Sequence, residues 1–155
     1  MLAKEGVVPF DTDVPKSDVR KYLFTGYHKS LYSQVAFDST PEKNFAALLE
    51  QDRGVLRWIR PPDGNVPIYY GGRPYNPDFI VETKEGKFVV EVKARNEVTD
   101  ADVLAKARAA IRWCAEASKL PGSKPWSYRL IPDDDIKPGR DFAFIISHAM
   151  RVQAQ

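Results

Sequence analysis

The sequence predicts an α/β domain with a central mixed β-sheet flanked by helices, and three observations carry that expectation. Two stretches, 41–53 and 101–119, place apolar side chains at helical spacing. Residues 79–83 and 88–94 read as two strands joined by the tight turn Lys84-Glu85-Gly86-Lys87. The element order is helix, strands with a hairpin, helix, strand, helix, which asks for helices packed on a shared sheet.

Residues 1–20 are polar, contain Pro9 and Pro15, and read as an N-terminal arm or linker ahead of a domain spanning 21–155. The stretch 21–37 is aromatic and β-branched, and reads as irregular or strand-like. Thr40 suits a helix cap and Pro41 the first helical position, with Phe45, Ala46, Leu48 and Leu49 as the apolar stripe. Residues 55–59 form a short apolar strand, and 60–67 a loop with three prolines. Ile68-Tyr69-Tyr70 is a strand candidate before the turn at Gly71-Gly72. Thr99 or Asp100 caps the second helix, whose face carries Val103, Leu104, Ala107, Ile111, Cys114, Ala115 and Ser118 until Pro121-Gly122 ends it. A strand at 128–131 and a closing helix at 141–151 complete the order.

Bulk composition narrows the function classes. A length of 155 residues is one domain, enough to bury a core. The net charge of +2 is too weak to argue for nucleic acid by itself, so the placement of charge must do so. The single cysteine, Cys114, excludes a disulfide framework and a Cys-based zinc site, and reads as a reducing, cytoplasmic compartment. No signal-peptide run, membrane-length span or G-x-x-x-x-G-K-[ST] loop occurs.

The hairpin carries the chemistry. Side chains alternate along a strand, so Glu91 and Lys93 share one face while Val90 and Val92 share the other. A two-residue loop at Glu85-Gly86 would set Asp78 opposite Lys93 and Ile80 opposite Glu91, with all three charged groups on one side. Two carboxylates held close repel each other, and a hard divalent cation is one reason to keep them there. Such an ion polarises a phosphoryl oxygen and acidifies bound water, and a neighbouring lysine stabilises developing negative charge. Glu42 falls on the buried face of its helix, although a first-turn glutamate also suits the helix dipole. An acid-x-Lys pair on a solvated strand face would need no explanation. The added Pro77-Asp78 at matching parity is what favours a site.

These residues match a family pattern. Tyr75-Asn76-Pro77-Asp78-Phe79-Ile80-Val81-Glu82-Thr83, followed by Glu91-Val92-Lys93-Ala94, resembles the PD-(D/E)XK nuclease motif. The flanking text, from Phe24-Thr25-Gly26-Tyr27-His28-Lys29 to Lys124-Pro125-Trp126-Ser127-Tyr128, resembles more closely the C-terminal endonuclease domain of type III restriction enzyme Res subunits. The resemblance covers about residues 22–135. It implies a restriction-endonuclease-like fold and Mg2+-dependent cleavage of double-stranded DNA, with Mn2+ able to substitute. It implies Asp78, Glu91 and the Val92 carbonyl as metal ligands, Lys93 assisting the attacking water, and Glu42 binding metal directly or through water. It also implies a helicase/ATPase region and a modification methyltransferase as partners. The missing motor departs from that pattern, so the chain reads either as a nuclease piece of such a protein or as a stand-alone relative. A double-strand break needs two sites, which suggests a transient dimer. The rival reading is a nuclease-fold module that binds DNA or partner subunits without cutting.

Lys106, Arg95 and Arg112 give the hairpin end and the second helix a basic side suited to phosphate, against the alternative of a solvated helix face. Trp58, Trp113 and Trp126 read as packing residues. Tyr69, Tyr70 and Tyr75 either pack or line a DNA groove. Asp133-Asp134-Asp135 reads as a solvated loop and helix start.

Overall fold

Three helices and nine strands make up the computed structural model, which describes residues 4–66 and 68–152. The strands are β1 (Gly6–Pro9), β2 (Tyr22–Thr25), β3 (Gln34–Val35), β4 (Val55–Ile59), β5 (Ile68–Tyr70), β6 (Arg73–Tyr75), β7 (Phe79–Thr83), β8 (Lys87–Lys93) and β9 (Trp126–Pro132). The helices are α1 (Thr40–Gln51), α2 (Ala101–Ala117) and α3 (Phe142–Ser147).

The central sheet runs in the order β4-β7-β8-β9. Its first two pairings are antiparallel and β8–β9 is parallel, so the sheet is mixed, as the sequence predicts. A parallel pair needs a crossover, and α2 supplies it. Alternation along β8 divides the interior. Phe88, Val90 and Val92 join Phe79, Val81 and the α1 residues Phe45, Ala46 and Leu49 in one apolar cluster. Val89 joins Tyr128, Leu130 and the α2 residues Val103, Ala107, Ala110 and Cys114 in the other. The sheet is therefore covered by α1 on one face and α2 on the other, a restriction-endonuclease-like arrangement. Trp58 is buried among the α1-side residues, and Trp113 and Trp126 pack edge-on with centroids 4.9 Å apart.

Several local features differ from the sequence reading. The cap of α1 is Ser39, not Thr40: its extended backbone (φ −152°, ψ 160°) aims the hydroxyl at Glu42 N, 3.4 Å away. The stretch read as an arm is largely part of the folded body. Strand β1 pairs in parallel with β2, and the 3-10 turn Lys16–Lys21 buries Val19 in the α1-side cluster. Residues 1–3 of that stretch lie outside the described residues, as does Pro67 of the loop before β5. The closing helix is shorter than 141–151. Asp141 caps it, accepting from Phe144 N at 2.8 Å, but Met150 N donates to Leu130 O at 2.9 Å and draws the chain into a bridge against β9. At the opposite edge, Ser30 bridges Trp58 of β4. Strands β5 and β6 form a separate antiparallel ribbon around Gly71-Gly72, both at positive φ (52° and 77°), which glycine adopts without strain. No helix among the described residues is long and apolar enough to cross a membrane.

Candidate active site

The β7–β8 hairpin brings the charged residues together, in a register two residues from the expected one. Phe79 pairs with Val90, Ile80 with Val89 and Glu82 with Lys87, so the loop is Thr83–Gly86 rather than Glu85-Gly86 alone. Thr83 widens it. Its hydroxyl accepts from Glu85 N at 3.2 Å and Gly86 N at 3.3 Å, while Thr83 N donates to Gly86 O at 2.9 Å. A shift of two preserves the face of every side chain. Continued by one step, the register sets Asp78 across from Glu91, not from Lys93.

Each carboxylate is held by a named partner. Asp78 Oδ2 accepts from Val92 N at 2.9 Å, tying the mouth of β7 to β8. Glu91 Oε2 accepts from the Tyr75 hydroxyl, and Lys93 Nζ stands 3.9 Å from Glu91 Oε1. Glu42 approaches from α1: its Oε1 accepts from Asp38 N at 2.8 Å and lies 3.4 Å from an Arg60 terminal nitrogen. The other terminal nitrogen of Arg60 donates to Asp78 O at 3.2 Å and lies 4.0 Å from Asp78 Oδ1, and Arg60 Nε donates to Ala36 O at 3.0 Å. One guanidinium therefore joins the end of β4 to α1 and to β7. Glu91 and Glu42 are each 6 % exposed, and neither is a solvated surface acid.

The electrostatics are those of crowded like charge. Burial pushes the Asp78 carboxyl well above the usual range, and Glu91 and Glu42 push it further, against the Val92 amide and Arg60. Burial also raises Glu91, against the Tyr75 hydroxyl, Lys93 and Lys106. Tyr75 is itself raised well above ten by burial and the Glu91 charge, so it stays protonated and can only donate to a Glu91 carboxylate.

This donor set fits a hard divalent cation, since added positive charge offsets the burial and like charge that raise both acids. Among the described residues no three His, Cys, Asp or Glu side chains are grouped closely enough to hold an ion by themselves. Asp78 and Glu91 would then be its carboxylate ligands, with backbone oxygen, water and substrate completing the shell. Glu42 lies close enough for its charge to raise Asp78 and is engaged by Arg60.

The basic residues separate. Lys106, on the inner side of α2, stands 5.4 Å over the Tyr70 ring, and its charge reaches Glu91. Arg95 is taken up elsewhere: Asp134 and Asp135 grip it at 2.7 and 2.9 Å, so the acidic run at 133–135 is a clamp on Arg95 rather than a free loop. Arg112 is exposed on α2, with no ion pair among the described residues. Two members of the site were not assigned from sequence. Arg60 had no signal, because its role depends on the β4–β7 register. Tyr75 had one: its ribbon strand ends just ahead of Pro77-Asp78.

A family model described as an endonuclease domain matches residues 28–118, more than half of the chain, and takes in Glu42, Arg60, Tyr75, Asp78, Glu91, Lys93 and Lys106. Comparison with curated proteins finds no match.

Proposed function

The chain belongs to this endonuclease-domain family, and we propose that it hydrolyses phosphodiester bonds of double-stranded DNA with Mg2+, or Mn2+ in its place. The observation that carries this reading is the pair Asp78 and Glu91, set across from each other at a buried hairpin end with Lys93 beside them. Bound at these two carboxylates and the Val92 carbonyl, the metal would supply a polarised phosphoryl oxygen and a more acidic water. The protein's own part is positional. Val92 N–H fixes one Asp78 oxygen and Tyr75 fixes one Glu91 oxygen, which leaves Asp78 Oδ1 4.0 Å from Arg60 and Glu91 Oε1 3.9 Å from Lys93. Lys93 orients the attacking water and stabilises negative charge developing on the phosphate. Glu42, held by Arg60, sets the charge behind Asp78. Lys106 stands on the flank where a phosphate strand would pass.

The type III Res context belongs to the same reading. A helicase/ATPase region and a modification methyltransferase would be the partners, and a transient dimer would deliver two cuts. Cys114 is free and buried, which suits a cytoplasmic protein. A module that binds without cutting is the second reading, favoured by one observation: Arg60 already places a cation between Glu42 and Asp78.

Plasmid nicking in Mg2+ or Mn2+, beside Glu91→Ala and an EDTA control, tests the proposal. Metal-dependent nicking lost in the variant supports the nuclease. Duplex binding without nicking, in parent and variant alike and with partners added, supports the binding module.

A further inference from the structure

Resting on the nuclease reading, we propose that the β5–β6 ribbon is the substrate-gripping arm of the site, and that Arg73 and Tyr69 contact duplex DNA beside the cut. The ribbon is built around the active site. Its base is the pair Ile68 and Tyr75, both buried in the α2-side cluster, and Tyr75 holds Glu91. Its middle pair, Tyr69 and Pro74, lies on the opposite face, and the pair at its tip, Tyr70 and Arg73, lies on the same face as the base.

The Arg73 guanidinium lies 5.0 Å over the Tyr70 ring, and Lys106 lies 5.4 Å over the same ring. Two cations share one aromatic platform. Lys106 has Asp102 at 3.3 Å, but Arg73 makes no ion pair among the described residues. A polyanion is the partner that such an arrangement lacks. The opposite face presents Tyr69, 62 % exposed, with Pro74 across from it, a flat apolar surface that a packed core would have buried. A two-stranded ribbon with cations on one side and an aromatic on the other matches a duplex groove, where phosphates flank sugar and base edges. The Gly71-Gly72 turn keeps its tip narrow. Because the ribbon ends at Tyr75, DNA held at the tip is presented directly to the oxygen pair of Asp78 and Glu91.

Fluorescence anisotropy with a labelled duplex in Ca2+ across a salt series tests this, with Mn2+ calorimetry on the same proteins. Arg73→Ala is expected to weaken binding about 5- to 10-fold and to lower the salt slope by about 0.9, the value of one phosphate contact. Tyr69→Ala is expected to weaken binding with no change in slope. Both variants are expected to keep parental Mn2+ affinity, since neither touches the acids. Lys119→Ala, just beyond the C-terminal end of α2, is the charge-matched control and is expected to bind as the parent does. Arg73→Ala binding equal to that control overturns the ribbon while leaving the nuclease intact. A parent that neither binds nor nicks duplex DNA overturns both.

Discussion

The two ends of the β7–β8 hairpin share strands and a sheet face, yet they are electrostatic opposites. At the turn end, Glu82 lies 2.7 Å from Arg57 and 2.8 Å from Lys124, and the Lys124 hydrogen bond leads the causes that hold its carboxyl below the usual range. At the mouth, Asp78 and Glu91 face each other; burial holds both above it, with the Glu91 and Glu42 charges adding to Asp78 and the Glu42 charge to Glu91. The turn end is what a chain selected for stability alone would make. The mouth carries a stability cost that protonation or added positive charge would offset.

The largest expected break in this comparison comes from Asp78→Asn. It is expected to reduce nicking by about a thousand-fold or more, since the proposed metal would lose a ligand. The same change is expected to stabilise the metal-free protein at neutral pH and to raise its Tm. The sign follows from linkage. A carboxyl raised in the fold binds more protons folded than unfolded, so its contribution falls as pH rises above about 4, the unfolded value. The advantage of Asp78→Asn over the parent should therefore widen with rising pH and vanish in acid, and Mn2+ should reverse it. Thermal melts of both proteins at several pH values check this; a constant gap would mean that Asp78 does not feel its neighbours.

Tyr75→Phe sharpens the comparison at lower cost to the fold. The ring stays packed and only the hydroxyl bond to Glu91 is lost. Mn2+ affinity by calorimetry is expected to fall about 10-fold, the scale on which partners of ligating groups act, and unchanged affinity would show that Glu91 orients itself. The smallest effect is expected at the turn end. Glu82→Ala should destabilise by about 0.5–1 kcal/mol in urea titrations and leave nicking intact. A large loss of activity there would erase the contrast between the two ends.

How much was legible in the sequence depended on distance along the chain. The hairpin, both long helices and the shared face of Asp78, Glu91 and Lys93 were readable, because alternation and helical spacing are local. Even the wrong register kept the right face, since it slid by two. What Thr83 does to the turn was not readable, because its hydroxyl competes for backbone amides only in a four-residue loop. Strand β6 was hidden by Pro74, which argues against a strand until the partner edge is known. The Arg95 clamp joins residues 38 to 40 apart. The Arg60 bridge depends on how α1 and β7 approach β4. Neither has a periodic signature.

Both outer strands of the central sheet give part of their edge to their own chain: Ser30 closes on β4, and Met150 closes on β9. Unpaired backbone along an outer strand is a template on which other copies assemble, and shortening it is how sheets avoid aggregation. The segments that flank the sheet therefore protect solubility as well as shape. They leave the charged end of the hairpin, rather than the ladder of amides and carbonyls, as the part of the sheet most open to a long polymer.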